Sequence, residues 1–221
     1  MRGMILSAGR GSRMGALTDH VPKPLLKVND RHLIEYSIFS LTKIGVTDIV
    51  INISYHGEQI KQTLGNGSRY QANFHYSEEP EALETGGGIL QALPLLGDAP
   101  FIVLSSDVIT DFPLEKLPRE PEQLAHLILV DNPDFHPRGD FCLDEKKIYC
   151  QEQNTFTFAN IGVYRRELFD GCRPGKFRLG DLLKAAAKNS KLSGECYRGL
   201  WHNMGRPEDL ARCFISSRNP I

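Results

Sequence analysis

Short apolar runs alternate along the chain with stretches in which apolar residues recur every three or four positions, the patterns of buried strands and amphipathic helices in turn. Met4 to Ser7 predicts a first strand, followed by a long loop from Ala8 to about Lys23. Leu33, Ile34, Ile38, Leu41 and Ile44 then fall at helical spacing, with Asp30 as the expected cap. Thr47 to Ile53 is rich in β-branched residues and predicts a second strand. A short helix around Glu58 to Leu64, a strand near Asn73 to Tyr76, a helix from about Gly88 to Leu95 and a buried strand from Phe101 to Ser105 follow. In the second half, strands are expected at Ala125 to Val130 and Thr157 to Tyr164, and helices at Leu179 to Lys188 and Pro207 to Phe214. Asp131 to Gln153 mixes Pro, Gly and charge, which predicts an excursion over the sheet able to line a pocket. The alternation implies an α/β fold with a largely parallel sheet, whose ligands bind beyond the carboxyl ends of the strands.

Composition narrows the partners. A chain of 221 residues suits one domain with a substantial apolar interior. Its 26 Lys and Arg nearly balance its 27 Asp and Glu, so no broad field draws it to nucleic acid or anionic lipid. An anionic ligand must be held by local basic groups. The cysteines at 142, 150, 172, 196 and 213 form no C-x-x-C pair or compact Cys/His cluster, which argues against zinc and redox chemistry. The apolar stretch before Gly9 is too short for a signal peptide or a membrane span, and no later segment spans, so a cytoplasmic location is expected.

Four constellations carry candidate chemistry. Ser7-Ala8-Gly9-Arg10-Gly11-Ser12-Arg13-Met14-Gly15 directly follows the first strand, where glycines let successive backbone N–H groups turn toward a phosphate. Arg13 adds a charge-assisted fork for phosphate oxygens. The stretch lacks the G-K-[ST] ending of a P-loop, and Met14 stands where a dinucleotide motif needs its third glycine. A flexible surface turn is the plainer alternative. In Pro22-Lys23-Pro24, two prolines confine the backbone around Lys23 and lower the entropy lost in aiming its ammonium, unless the turn points it to solvent. Glu79 to Gly88 sets carboxylates and three consecutive glycines before a predicted helix, which permits close approach of a flat base and an acceptor for the N3–H of uracil or thymine; otherwise it is an acidic hairpin. Asp107 stands just beyond the Phe101–Ser105 strand, as a hard oxygen ligand for Mg²⁺ or as a turn cap.

The first strand, Ala-Gly-x-Gly-x-Arg-Met and Pro-Lys-Pro-Leu together resemble the signature of the sugar-1-phosphate nucleotidyltransferases. The resemblance implies that Ala8, Gly9, Gly11, Ser12, Arg13 and Lys23 wrap and neutralise a nucleoside triphosphate, with Glu79, Glu84, Thr85 and Ser105 as further nucleotide contacts. It implies catalytic roles for Arg13, Lys23 and Asp107, and Mg²⁺ on Asp107; Asp111 stands near enough in the sequence to be a supporting carboxylate. Ala16 replaces the family's usual proline, and Ser105-Ser106 its Asn-Gly. Trp201-His202-Asn203-Met204-Gly205 resembles a W-x-D-x-G segment whose aspartate is the second metal ligand. Here that position is Asn203, an amide that brings no negative charge to a hard dication. His202, with no other His or Cys at ligand spacing, is expected not to bind metal.

Val130 to Pro133, Arg138 to Phe141, Phe158 to Tyr164 and Gly194 to Gly199 are similar to a compact branch of that family that uses UTP and N-acetylmuramate 1-phosphate. This places Gly139, Asp140, Glu152 and Asn160 against the sugar, although solvated loop charge is the alternative for Asp140 and Glu152. The implied fold is one domain with an open, mostly parallel Rossmann-like sheet flanked by helices and a small sugar-facing lobe. About 1–112 form the nucleotide half and about 113–221 the sugar half. The partners are UTP and a sugar 1-phosphate, not nucleic acid or membrane, and a monomer is expected. GTP with mannose 1-phosphate, dTTP with glucose 1-phosphate, and a nucleotide sensor without turnover are the rivals.

Overall fold

The computed structural model describes residues 1–216. Its first strand, β1 (Gly3–Leu6), leads through 3₁₀ turns at Ser12–Thr18 and Lys23–Leu25 to a small hairpin of β2 (Lys27–Val28) and β3 (Arg31–His32). Helix α1 (Leu33–Lys43), β4 (Asp48–Ile53), α2 (Gly57–Leu64), β5 (Asn73–Glu78), α3 (Glu84–Leu96), β6 (Phe101–Ser105) and β7 (Val108–Thr110) follow. The second half contains β8 (Ala125–Asp131), β9 (Cys142–Asp144), β10 (Lys147–Tyr149), β11 (Phe156–Tyr164), α4 (Leu179–Lys188), β12 (Leu192–Cys196), β13 (Trp201–Asn203) and α5 (Pro207–Ser216).

Nine strands form one sheet in the order β5-β4-β1-β6-β11-β8-β12-β10-β9. The first four are mutually parallel, β11 runs antiparallel to both β6 and β8, and β12 is parallel to β8. Successive strand residues alternate in face. Ile5, Ile49 and Ile51 pack with Ile34, Ile38 and Leu41 of α1, whereas Met4 and Val50 pack with Ile89 and Ala92 of α3 and Leu183 of α4. All are fully buried, and each large apolar side chain so placed contributes about 1.5–3 kcal/mol. Helices therefore cover both faces, as expected for an α/β sheet.

Two local expectations are corrected. Asp30 does not cap α1: Asn29 and Asp30 have positive φ, 49° and 64°, and form the two-residue turn of the β2–β3 hairpin. His32 is the N-cap, and Glu35 reaches back to accept its backbone N–H at 2.8 Å. Helix α3 starts at Glu84 rather than Gly88, so the three glycines lie inside its first turns. The excursion after β8 carries the β9–β10 hairpin, and no disulfide joins the cysteines among the described residues. No helix there is long and apolar enough to cross a membrane.

Register sets the site. In β1, Leu6 lies opposite Ser105 of β6, and the Ser106 N–H donates to the Leu6 carbonyl at 3.1 Å. The glycine loop and Asp107 consequently leave the sheet side by side.

Candidate active site

Gly11 has φ +68°, and a Cβ built there would stand 2.9 Å from Cβ of Lys23. Glycine is therefore required both by the left-handed backbone and by the approach of Lys23. The carbonyl of Gly11 accepts the Met14 N–H at 2.8 Å and the Thr18 hydroxyl at 3.2 Å, and the buried Met14 side chain anchors the loop. Around Gly9, by contrast, nothing lies within 4 Å of an added Cβ.

Lys23 is only 8% exposed and opens a 3₁₀ turn bounded by Pro22 in extended conformation. Its Nζ donates to Oδ2 of Asp107, and Oδ1 of Asp107 accepts the Ser105 hydroxyl at 2.7 Å. Burial opposes ionisation of Asp107, but the Lys23 ammonium and these hydrogen bonds outweigh it and hold the carboxyl below its ordinary pKa. The Asp107 carbonyl accepts the Met204 N–H at 2.8 Å, and the next residue, Val108, pairs with Asn203 across β7 and β13. Asn203 from the far end of the sequence is thus brought beside Asp107. Its Oδ1 is buried and has no hydrogen-bond partner. Asp111, expected nearby, instead accepts the hydroxyl of Tyr197, and its side chain does not support Asp107.

A buried relay connects the loop to the acidic segment. The Ser7 N–H donates to Oδ1 of Asn52 at 2.8 Å, Nδ2 of Asn52 donates to Oε1 of Glu79 at 2.7 Å, and Oε2 of Glu79 accepts the Leu83 N–H at 2.9 Å. Burial pushes the Glu79 carboxyl above its ordinary pKa against these two hydrogen bonds. With both oxygens engaged, Glu79 fixes the turn before α3. The hydroxyl oxygen of Thr85 accepts the Leu179 N–H at 3.1 Å, and the N–H groups of Gly86 and Gly87 donate to the Phe177 carbonyl at 3.0 and 3.2 Å. A Cβ on Gly86 would lie 2.4 Å from the Phe177 ring, and one on Gly87 would lie 2.2 Å from the Gly175 carbonyl oxygen. The glycines admit the segment before α4, which is the physical reason the helix tolerates them.

These parts enclose a cleft of about 660 Å³. Ala8, Gly9, Gly11, Ser12, Arg13, Lys23, Glu79, Glu84, Thr85, Ser105 and Asp107, all expected from sequence, line it together. So do Arg10 of the same loop and Ser106, together with Asn52, Lys176 and Arg178, which the sequence motifs did not include. Asn52 had a signal, as a polar residue within the apolar run Ile49 to Ile53; the 173–178 stretch, without periodicity or motif, had none.

Arg13 also lines a neighbouring hollow of about 360 Å³ with Asn203, Arg206 and the exposed Phe135. None of the four expected sugar contacts lines the larger cleft. Gly139, at φ +58°, packs its Cα against Asn132, and Asp140 accepts the Phe158 N–H at 3.0 Å and lies 3.1 Å from Nε2 of His136. Both shape the turn after β8. Asn160, at φ +59°, sits in the bulge where β11 shifts register against β8, and Glu152 is exposed.

Residues 2–137 match the model of the nucleotidyl transferase family. Over 215 residues, 93% of either chain, the sequence is 44% identical to the N-acetylmuramate alpha-1-phosphate uridylyltransferase of Neisseria meningitidis. It is 40% identical over 236 residues to a mannose-1-phosphate guanyltransferase of Hypocrea jecorina, covering 95% of this chain but 62% of that longer one. The fold is similar to the crystal structure of a putative glucose-1-phosphate thymidylyltransferase from Bacillus anthracis, with a TM-score of 0.87 at 20% identity, covering 100% of this chain and 96% of that chain.

Proposed function

The chain belongs to the nucleotidyl transferase family, and we propose that it transfers the uridylyl group of UTP to N-acetylmuramate 1-phosphate, giving UDP-N-acetylmuramate and pyrophosphate. The observation that carries the chemistry is the convergence of the glycine loop, Arg13, Lys23 and Asp107 in one cleft. The near full-length likeness to the Neisseria uridylyltransferase supports the substrate pair.

A sugar phosphate oxygen attacks the α-phosphorus of UTP in line, the bond to the bridging oxygen breaks, and pyrophosphate leaves. The phosphate monoester is itself the nucleophile, so the protein supplies positioning and charge neutralisation. Lys23 neutralises charge at the α-phosphate, while Arg13 and the amides of Gly9 to Ser12 hold the leaving pyrophosphate. Glu84 and Thr85 face the base, with Glu79 positioning their segment. The nucleotide side is assigned to about 1–112, and the sugar side to the lobe carrying Gly139, Asp140, Glu152 and Asn160. UTP as substrate is the reason for a cytoplasmic assignment.

The amide oxygen of Asn203 is buried without a partner one residue before Met204, whose N–H donates to the Asp107 carbonyl, and an amide oxygen and a carboxylate are donors that suit a hard cation such as Mg²⁺. When bound there, Mg²⁺ supplies charge neutralisation to the phosphates. Among the described residues no three His, Cys, Asp or Glu side chains converge as a cage, so most ligands come from phosphate and water, as suits this ion.

A panel of UTP, GTP and dTTP against N-acetylmuramate, mannose and glucose 1-phosphates, read by pyrophosphate release with excess Mg²⁺, tests the reading. UTP with N-acetylmuramate 1-phosphate should give the highest kcat/KM. A clear preference for another pair overturns the substrate assignment, and UTP binding without pyrophosphate from any pair indicates a sensor.

A further inference from the structure

The cleft carries more positive charge than its phosphate loop explains. Arg10, Arg13, Lys23, Lys176 and Arg178 line it against Glu79, Glu84 and Asp107. Asp107 is matched by Lys23, whereas among the described residues the side chains of Lys176 and Arg178 make no ion pair or hydrogen bond. Both are exposed toward the cleft on the segment that leads into α4.

Arg178 is held by its neighbours on either side. The Phe177 N–H donates to the Leu83 carbonyl at 3.2 Å, the Phe177 carbonyl accepts two N–H groups from α3, and the Leu179 N–H donates to Thr85. The backbone is therefore pinned at both flanking residues while the guanidinium remains unengaged. Helix stability does not explain an arginine here. Arg178 is the N-cap of α4, makes no capping hydrogen bond, and places a cation at the positive end of the helix.

Resting on the proposed uridylyl transfer, we infer that Arg178 is a specificity-determining residue that binds the lactyl carboxylate of the sugar substrate. A guanidinium fork matches a carboxylate in two parallel hydrogen bonds, which a lysine cannot reproduce. The neighbouring Glu84 and Thr85 are assigned to uracil, which is uncharged and gives an arginine no counter-ion. The triphosphate has its own donors in the glycine loop, Arg13 and Lys23. The sugar substrate brings two anionic groups: its 1-phosphate, which must lie at the reacting centre with Lys23 and the proposed metal, and the carboxylate that separates N-acetylmuramate from N-acetylglucosamine, which is left without a protein partner.

The test compares wild type, Arg178→Gln and Arg178→Lys with N-acetylmuramate 1-phosphate and N-acetylglucosamine 1-phosphate, each as substrate and as competing inhibitor, together with the KM for UTP. Arg178→Gln should raise the KM for N-acetylmuramate 1-phosphate about tenfold to a hundredfold, as expected for a charged hydrogen-bonded pair. The KM for UTP and the affinity for N-acetylglucosamine 1-phosphate should remain unchanged, and Arg178→Lys should recover part of the loss. Equal loss with both sugars, a raised KM for UTP, or no change in any constant overturns the assignment. A wild type that does not turn over N-acetylmuramate 1-phosphate overturns the proposed function instead, and this assignment with it.

Discussion

Lys23 donates its ammonium to Oδ2 of Asp107, tying the Pro-Lys-Pro turn to the end of β6 across 84 positions of sequence. The two side chains are 11% and 20% exposed, so each is neutralised where water can do little. The pair fixes the proposed phosphate cation and the proposed metal carboxylate relative to one another.

Lys23→Ala should lower kcat/KM by about 2–4 kcal/mol of transition-state stabilisation, the scale for loss of one preorganised donor. The protein should still fold, because Pro22 and Pro24 keep the turn in place, but with lower stability, because the Asp107 carboxylate loses its counter-ion. Pyrophosphate release and a far-UV melting curve separate the two effects; wild-type turnover in folded protein would remove Lys23 from the reaction.

Asp107→Asn should abolish Mg²⁺-supported turnover and leave the Lys23 ammonium buried without its counter-ion, at a cost of roughly 3 kcal/mol at neutral pH. The folded carboxyl has a lowered pKa, so its contribution to stability is complete above the unfolded value of about 4 and is lost as pH falls through the lower folded one. The stability gap between wild type and variant in urea should therefore shrink in acid. A gap that stays constant through that range would show that ionisation of Asp107 is not what stabilises the pair.

Asn203→Asp adds a negative charge where a buried amide oxygen now has no partner. The half-maximal Mg²⁺ concentration for turnover should fall. Repulsion from Asp107 should slightly lower the stability of the metal-free protein, and Mg²⁺ should restore it by binding the folded state. A Mg²⁺ titration at saturating substrates decides the matter: an unchanged midpoint and maximal rate exclude Asn203 from the metal site.

Gly87→Ala places a methyl group 2.2 Å from the backbone carbonyl oxygen of Gly175, which cannot rotate away as a side chain does. A loss of about 1–3 kcal/mol is expected, and with it a melting temperature lower by several degrees. Gly9→Ala, at a position with open space and no positive φ, should melt as the wild type does. Equal melting of both variants would show that α3 and the 173–178 segment are not closely stapled.

By itself the sequence determined the α/β alternation, the phosphate loop after β1, the Pro-Lys-Pro turn and the aspartate beyond β6. These are local signals: an apolar run, a glycine where φ is positive, a proline on each side of a lysine. Asn203 was also legible, because its Trp and Gly neighbours mark the position. The tertiary structure alone decided which carboxylate answers to which cation, and it paired Asp107 with Lys23 while turning Asp111 to Tyr197. It also moved the α1 cap from Asp30 to His32, because a two-residue hairpin claimed Asp30. The three glycines looked like freedom for a ligand, yet they are occupied by Phe177, Gly175 and Glu79, contacts made by residues distant in sequence. Arg178 had no sequence signal for the same reason: its place in the cleft comes from hydrogen bonds made by Phe177 and Leu179 to α3 and the residue before it, and no pattern along the chain encodes a distance between segments that only the packed sheet brings together.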